Sequence, residues 1–451
     1  MNFITDEQTL NDLKIFARRG EVSVYALFNH TQTPGGAAIL EQLFRYPLSD
    51  MSKIEQRSRT IQFFGQSGIQ FPFRAEWFIY AEQYLANTDE RSRMSGESSG
   101  FRRTVNKLMA GDTDFQELSK GIHALTELMY CAKQFITGIW ERTIDSAYRK
   151  ELESFRQILE EEDWQEVWEE GSRKKISYEK IVSLDKLFRF RKRDDLKKLL
   201  GFIYQLDVYL SVAGIAAEMQ MCFPVIIPAD ENKLMMEEVK HPLLTGATGN
   251  DVQITAKQNV FFLTGANMAG KSTFMKTIGI AIYLAHMGFP VPARNMEFSV
   301  RDGLLTTINL PDNLSMGYSH YYGEVLRLKK VVNEMSGSKK MFIVFDELFR
   351  GTNVKDAYEA TVALLAAFTK RKDCLFLIST HIVEAGHTLL ENNDALQFGR
   401  LPTKMNGHQP VYTYRLEPGI TEDRHGMLII NNEGILDIIR GKQQESINKM
   451  S

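Results

Sequence analysis

A chain of 451 residues exceeds what one compact core holds, at roughly 100–200 residues per domain, and is expected to divide into two or more units. Its 43% hydrophobic and 25% charged content excludes a largely disordered chain. With 54 basic against 57 acidic residues and a net charge of −3, no overall positive field advertises nucleic acid, so any such contact needs a local patch.

From Thr5 to about Pro224 apolar residues recur three and four apart, with few prolines and many Glu, Lys and Arg, which predicts helices. The N-terminus lacks the basic start and apolar core of a signal peptide, and no 18-residue apolar run is expected further on, so a cytoplasmic protein without a membrane span is anticipated. Cys131, Cys222 and Cys374 lie far apart and form no CxxC pair, which argues against a zinc site or a disulfide framework. The small polar run from Arg91 to Gly100 suits an exposed loop between helices. An acidic stretch, Glu160 to Asp163 with Glu169 and Glu170, precedes the basic run Arg189-Phe190-Arg191-Lys192-Arg193, and both are expected to be solvated helix faces. The basic run, with Phe188 and Phe190 interleaved, is also of a type that meets phosphates.

Past Pro228 the pattern changes to short apolar runs, Asn259 to Thr264, Met341 to Phe345 and Cys374 to Ser379, which read as buried parallel strands. Helical stretches, Ser272 to Met287 and Asp356 to Lys370, lie between them. The expected fold is α + α/β: an all-helical core or lever domain over residues 1–228, then a P-loop NTPase domain over 229–451 with a mainly parallel sheet.

The strongest chemical signal is Gly265-Ala266-Asn267-Met268-Ala269-Gly270-Lys271-Ser272, which fits GxxxxGK[ST] between a strand and a helix. Glycines let the backbone turn its N–H groups inward around phosphate oxygens, and the following helix aims its positive dipole end at the same charge. Lys271 is expected to neutralise the β- and γ-phosphates of ATP, Ser272 to coordinate Mg²⁺, and Thr273 to hydrogen-bond phosphate. The strand Met341 to Phe345 ends in Asp346-Glu347, resembling a Walker B pair in which Asp346 holds the metal and Glu347 orients or deprotonates the attacking water. A third strand runs into Ser379-Thr380-His381, which sets an imidazole at the same sheet edge to sense the γ-phosphate. The catalytic candidates are thus Glu347, His381 and Lys271.

These residues resemble one family in particular. Thr264 to Thr273, with Asn267-Met268 inside the loop, is similar to the phosphate loop of the MutS DNA mismatch repair family, departing from it at Ala266, commonly proline, and Ala269, commonly glycine. Asp346-Glu347-Leu348-Phe349-Arg350-Gly351-Thr352-Asn353 resembles the family's Asp-Glu-x-x-Arg-Gly-Thr-Ser, and Thr380-His381 its Thr-His. Asp312 to Glu324 resembles the segment that reaches the partner's nucleotide across a dimer, with Ser319 the matching residue acting in trans. Thr33 to Leu40 with Pro47-Leu48, Leu206 to Ala217, and Glu238 to Leu243 with Lys240 in place of arginine extend the likeness over nearly the whole chain.

The resemblance implies an ATPase that dimerises, binds mismatched, branched or distorted DNA with its helical arms in repair or recombination, and changes shape with ATP and Mg²⁺, with a repair protein as a possible further partner. Since the similarity begins almost at Met1, the mismatch-reading and connector domains of a full-length member are expected to be missing and the clamp shortened. The near-neutral charge leaves a second reading, a nucleotide-gated protein whose lever binds a protein or ribonucleoprotein partner without mismatch recognition. A transporter-type ATPase shares the loop and the Asp-Glu pair, but no LSGGQ-like signature precedes Met341.

Overall fold

The computed structural model describes residues 3–17, 20–87, 112–170, 176–308, 320–390, 394–406, 409–421 and 435–439. The loop expected at 91–100 lies outside these. The chain forms two compact units, one of Phe28–Arg45 and Gln56–Glu218, the other of Met1–Leu27, Tyr46–Glu55 and Met219–Ser451. This differs from a single cut at residue 228. The first unit ends with its last long helix, and two early stretches join the second unit through contacts that helical periodicity does not reveal.

The described helices of the N-terminal half are α1 (Glu7–Asp12), α2 (Val24–Phe28), α3 (Pro34–Arg45), α4 (Met51–Ser67), α5 (Ala75–Ala86), α6 (Asp112–Ile139), α7 (Arg149–Leu159), α8 (Gln165–Glu170), α9 (Tyr178–Asp185) and α10 (Arg193–Glu218). Pro34 starts α3 because its fixed φ suits a first helical position. The carboxylate of Asp207 in α10 accepts from the backbone N–H of Gln32 (3.0 Å) and Thr33 (2.8 Å) and from Thr33 Oγ1 (2.7 Å). Gly35 and Gly36 permit the close approach: a Cβ on Gly35 would lie 2.4 Å from the Tyr204 ring, and one on Gly36 2.5 Å from Asp207 Oδ2.

Two expectations are corrected in this unit. The acidic and basic runs pair with each other instead of lying as free solvated faces: Arg191 meets Asp163 at 3.0 Å, and Lys192 meets Glu161, Asp163 at 3.1 Å and Asp195 at 3.5 Å. Arg189 is buried and forms a bidentate pair with Asp185 at 2.6 Å, on a π-helical turn at Lys186–Arg191 that the spacing did not suggest. Opposite charges brought within reach neutralise each other, so this run is not an open phosphate-binding patch. In addition, α10 is long and apolar enough to cross a membrane by length and composition, although 67% of its most apolar window is buried inside the protein as core.

The second unit carries the sheets. Six strands run in the order β12-β9-β4-β8-β7-β6, and β9 (Leu396–Leu401), β4 (Val260–Gly265), β8 (Leu375–Ser379), β7 (Met341–Phe345) and β6 (Gly303–Thr307) are parallel. The two-residue β12 (Glu417–Pro418) pairs antiparallel with β9 at one edge. Strands β7 and β8 are buried throughout, which is why they read as unbroken apolar runs. A four-stranded sheet, β1 (Val225–Ile227), β5 (Asn295–Ser299), β2 (Lys233–Val239) and β3 (Asn250–Thr255), was not anticipated. The unit also carries helices α11 (Lys271–His286), α12 (His320–Glu334), α13 (Val354–Phe368), α14 (Val383–Leu390) and the short α15 (Ile435–Ile439), and an antiparallel pair of β10 (Thr403–Asn406) and β11 (Gln409–Tyr412). Helix α13 starts at Val354, two residues before the expected Asp356, because the Asn353 side chain accepts from Asp356 N–H at 2.9 Å and caps it.

Asp207→Ala removes a buried carboxylate that holds three donors, and is expected to destabilise the helical unit by about 3 kcal/mol. Urea unfolding followed by circular dichroism checks this; an unchanged midpoint would contradict the structural role given to Asp207.

Candidate functional site

The C-terminal ends of parallel strands share one sheet edge, and there the site assembles. Beyond β4 the backbone enters conformations that side chains rarely adopt: φ is 156° at Gly265, 68° at Met268 and 96° at Gly270. A Cβ on Gly265 would lie 3.1 Å from the Leu401 carbonyl, and one on Gly270 3.0 Å from the Tyr414 ring. Ala269 is buried, and its N–H donates to Ala266 O at 3.2 Å to close the turn. Helix α11 then starts at Lys271 with no side-chain cap at Gly270, so its first amides point into the space ahead of it.

That space is a cavity of about 620 Å³ whose walls include Asn267, Lys271, Thr273, Glu347, His241 and Tyr414. Lys271 is buried, and its ammonium donates to Gly265 O (2.8 Å) and Ala266 O (3.2 Å). Burial lowers its pKa, while the nearby carboxylates of Glu347 and Asp346 work in the opposite direction. The Ser272 hydroxyl donates to Asp346 Oδ2 and the Ser379 hydroxyl to Oδ1. Asp346 itself is held by its N–H, which donates to Thr307 O at 2.9 Å.

Glu347 sits at a φ of 56° and Phe349 at 63°, two left-handed residues in the turn after β7. The strain is offset where the Glu347 N–H donates to Ser379 O (3.1 Å) and Oγ (3.2 Å). Both oxygens of its carboxylate are engaged, Oε1 with His381 Nε2 at 2.5 Å and Oε2 with Arg350 at 2.7 Å. The His381 contact is the largest influence and, with Arg350, overcomes the effect of burial to pull the Glu347 pKa down to about 2.

The structure therefore gathers Gly265, Ala266, Asn267, Met268, Ala269, Gly270, Lys271, Ser272, Thr273, Asp346, Glu347 and His381 at one edge. Of the run Asp312 to Glu324, residues 312–319, Ser319 among them, lie outside the described residues, and His320 to Glu324 begin α12. Sequence reasoning gave no role to Arg350, the second partner of Glu347, nor to Tyr414, which no local pattern marks. Ser379, which the sequence offers only as the residue where the third strand ends, holds both Asp346 and the Glu347 N–H. His241, within the Glu238 to Leu243 stretch, also lines the cavity, where burial, with Lys276 and Lys14 nearby, depresses its pKa. Among the described residues no three His, Cys, Asp or Glu gather as a metal site. A hydroxyl and a carboxylate are hard oxygen donors that suit Mg²⁺ when a ligand's phosphates complete the shell.

MutS domain III matches residues 8–213 and MutS domain V matches residues 261–450. The chain is 25% identical over 251 residues to the DNA mismatch repair protein MSH3 of Candida glabrata, covering 54% of this chain and 24% of that protein. It is 29% identical over 260 residues to the DNA mismatch repair protein MutS of Chlamydia muridarum, covering 56% and 31%. With MutS of Fusobacterium nucleatum the figures are 27% over 263 residues, 57% and 29%. The matched stretch thus spans less than a third of the length of these relatives.

Because Glu347 titrates near 2 in the folded chain against an ordinary 4.5, its pairing stabilises the fold fully above pH 4.5 and is lost as pH falls through 2. The gap in urea midpoint between the wild type and Glu347→Gln should accordingly narrow as the pH is lowered below 4.5. A gap that stays constant over that range would show that the contacts with His381 and Arg350 do not stabilise the fold.

Proposed function

The chain belongs to the MutS family, and we propose that it is an ATPase that binds mismatched, branched or distorted DNA in repair or recombination as a nucleotide-switched dimer. The observation that carries the ATPase reading is the meeting of Ser272, Asp346 and Ser379 beside a loop lined with inward-facing backbone and a buried lysine. The DNA reading rests on the family, since the relatives are named as DNA mismatch repair proteins.

ATP is the substrate, and the loop from Gly265 to Thr273 is its phosphate cradle. Lys271 exchanges its two carbonyl partners for phosphate oxygens, a trade favoured because those carbonyls leave a buried ammonium only partly compensated. Ser272 and Asp346 are the residues that hold Mg²⁺, which when bound neutralises phosphate charge. Thr273 and the open amides of α11 bind phosphate oxygens, and Tyr414 offers a flat face at the cavity wall to the base. Glu347 orients the attacking water. It is placed to accept that water's proton once one of its oxygens is released from His381 or Arg350. His381 and Arg350 hold this carboxylate ionised, and releasing one of its oxygens to water is the local change that couples the nucleotide to the turn after β7. Ser319, by its likeness to the family's bridging segment, acts on the partner's nucleotide, which makes the dimer the hydrolysing species.

Lys271→Met is expected to abolish nucleotide binding, whereas Glu347→Gln should bind normally and lose at least ~100-fold in kcat. Steady-state phosphate release with parallel binding titrations checks both; normal turnover by purified Glu347→Gln protein would overturn the assignment. Fluorescence titrations with homoduplex, mismatched, branched and single-stranded DNA at rising salt test the partner. Phosphate contacts must weaken steeply with salt. Absence of binding at low salt would leave the protein or ribonucleoprotein partner as the reading.

A further inference from the structure

The N-terminal segment covers the outer edge of the six-stranded sheet. Strand β6 is the last in the order, so one row of its backbone groups lacks a strand partner. Alternate donors in that row are nevertheless filled, each by a different kind of acceptor. Leu304 N–H donates to the Ile4 carbonyl at 2.9 Å, Thr306 N–H to the Thr9 hydroxyl at 3.0 Å, and Ile308 N–H to the Asp12 carboxylate at 2.9 Å. Thr306 Oγ1 also donates to Asp12 at 2.7 Å. Gly303 makes the docking possible, since a Cβ there would lie 2.4 Å from the Ile4 carbonyl. The pairs made through Thr9 and Asp12 are 294 to 297 positions apart in sequence, and Thr9, Asp12 and Thr306 are all buried.

Arg327 of α12 links this cover to the site. Its guanidinium pairs with Asp6, the residue that caps α1, donates to Thr306 O at 2.6 Å, and through Nε donates to Thr307 Oγ1 at 3.1 Å. Burial works to raise the Asp6 pKa, yet the pairing with Arg327 holds its carboxyl well below the usual carboxylate range. Thr307 is the residue whose carbonyl anchors the Asp346 N–H. Asp346 is the first residue past β7, so Thr307 sets where that carboxylate begins.

We infer that Asp6, Asp12 and Arg327 are positioning residues for Asp346, acting through Thr307, so that the N-terminal segment is a working part of the magnesium site. The inference rests on the reading of Ser272 and Asp346 as the metal-holding pair. None of Asp6, Asp12, Thr307 and Arg327 lines the cavity. It fixes the end of the edge strand, and with it the position of one oxygen donor whose geometry a small cation reads closely.

The test uses the full chain with Thr307→Val, which keeps shape and carbonyl but removes the Arg327 acceptor, and Arg327→Lys, which keeps charge but removes the fork. Lys330→Ala, which loses an exposed pairing with Asp6 at 3.0 Å, is the control. Two readouts are taken: deuterium uptake at the Asp346 amide without nucleotide, and the Mg²⁺ concentration giving half-maximal ATP hydrolysis. Both variants should take up deuterium faster at Asp346 and need ~10-fold more Mg²⁺, with the KM for ATP unchanged and the control like the wild type. Should Arg327→Lys fail to fold, Thr307→Val decides alone. Wild-type uptake at Asp346 in the folded variants, or faster uptake with a wild-type Mg²⁺ requirement, overturns the inference. A wild-type chain that hydrolyses no ATP contradicts the proposed function instead, and the amide readout, which needs no nucleotide, separates the two failures.

Discussion

The carboxylate of Asp346 joins three segments of the chain, accepting from Ser272 at the start of α11 and from Ser379 at the end of β8 while its own backbone hangs from the end of β6. Only a parallel sheet sets these ends at one edge, because each crossover returns the chain to start the next strand in the same direction. The order β9-β4-β8-β7-β6 puts β4, which delivers the glycine-bearing loop, beside β8 and one strand from β7, which delivers Asp346 and Glu347. The remaining features of the site follow from that adjacency.

Left-handed backbone occurs in both turns that carry the proposed chemistry, as it also does at Lys14, Gln220, Asn232, Glu238 and Tyr414. Met268, Gly270, Glu347 and Phe349 all have positive φ, and they lie in the turns after β4 and β7. A left-handed glutamate costs on the order of 1 kcal/mol or more, which the Ser379 contacts and the packing of Phe349 in the core offset. The electrostatics follow the same economy: a buried lysine rests on two carbonyls, and a glutamate is held between an imidazole and a guanidinium. Each group is held by contacts that a phosphate or a water can replace.

Much of this was legible in the sequence because the governing signals are local. β7 and β8 are buried on both faces and so appear as plain apolar runs, and each ends abruptly in the polar residues of the site. The loop from Gly265 to Ser272 announces itself by residues whose conformational freedom the turn requires. The four-stranded sheet was missed because β2 and β3 mix Lys, Glu, Asp and Gln with apolar residues, which masks their alternation. Tyr414 was missed because its place at the cavity wall is set by distance in space; Arg350 lies only three residues beyond Glu347, but no periodicity marks the left-handed turn in which the two pair. The pairing of the 160s acids with the 190s bases, and the bracing of β6 by residues 4–12, join stretches that no short window contains. The bridging role of Ser319 rests on likeness alone, since that residue lies outside the described ones.

The account depends on the Gly265–Thr273 loop taking up a magnesium nucleotide. Isothermal calorimetry of the purified chain with a nonhydrolysable ATP analogue, run with and without Mg²⁺, tests this most directly. Saturable binding that strengthens with Mg²⁺ is the predicted result; a well-folded protein that releases no binding heat and shows no uptake by equilibrium dialysis would contradict it.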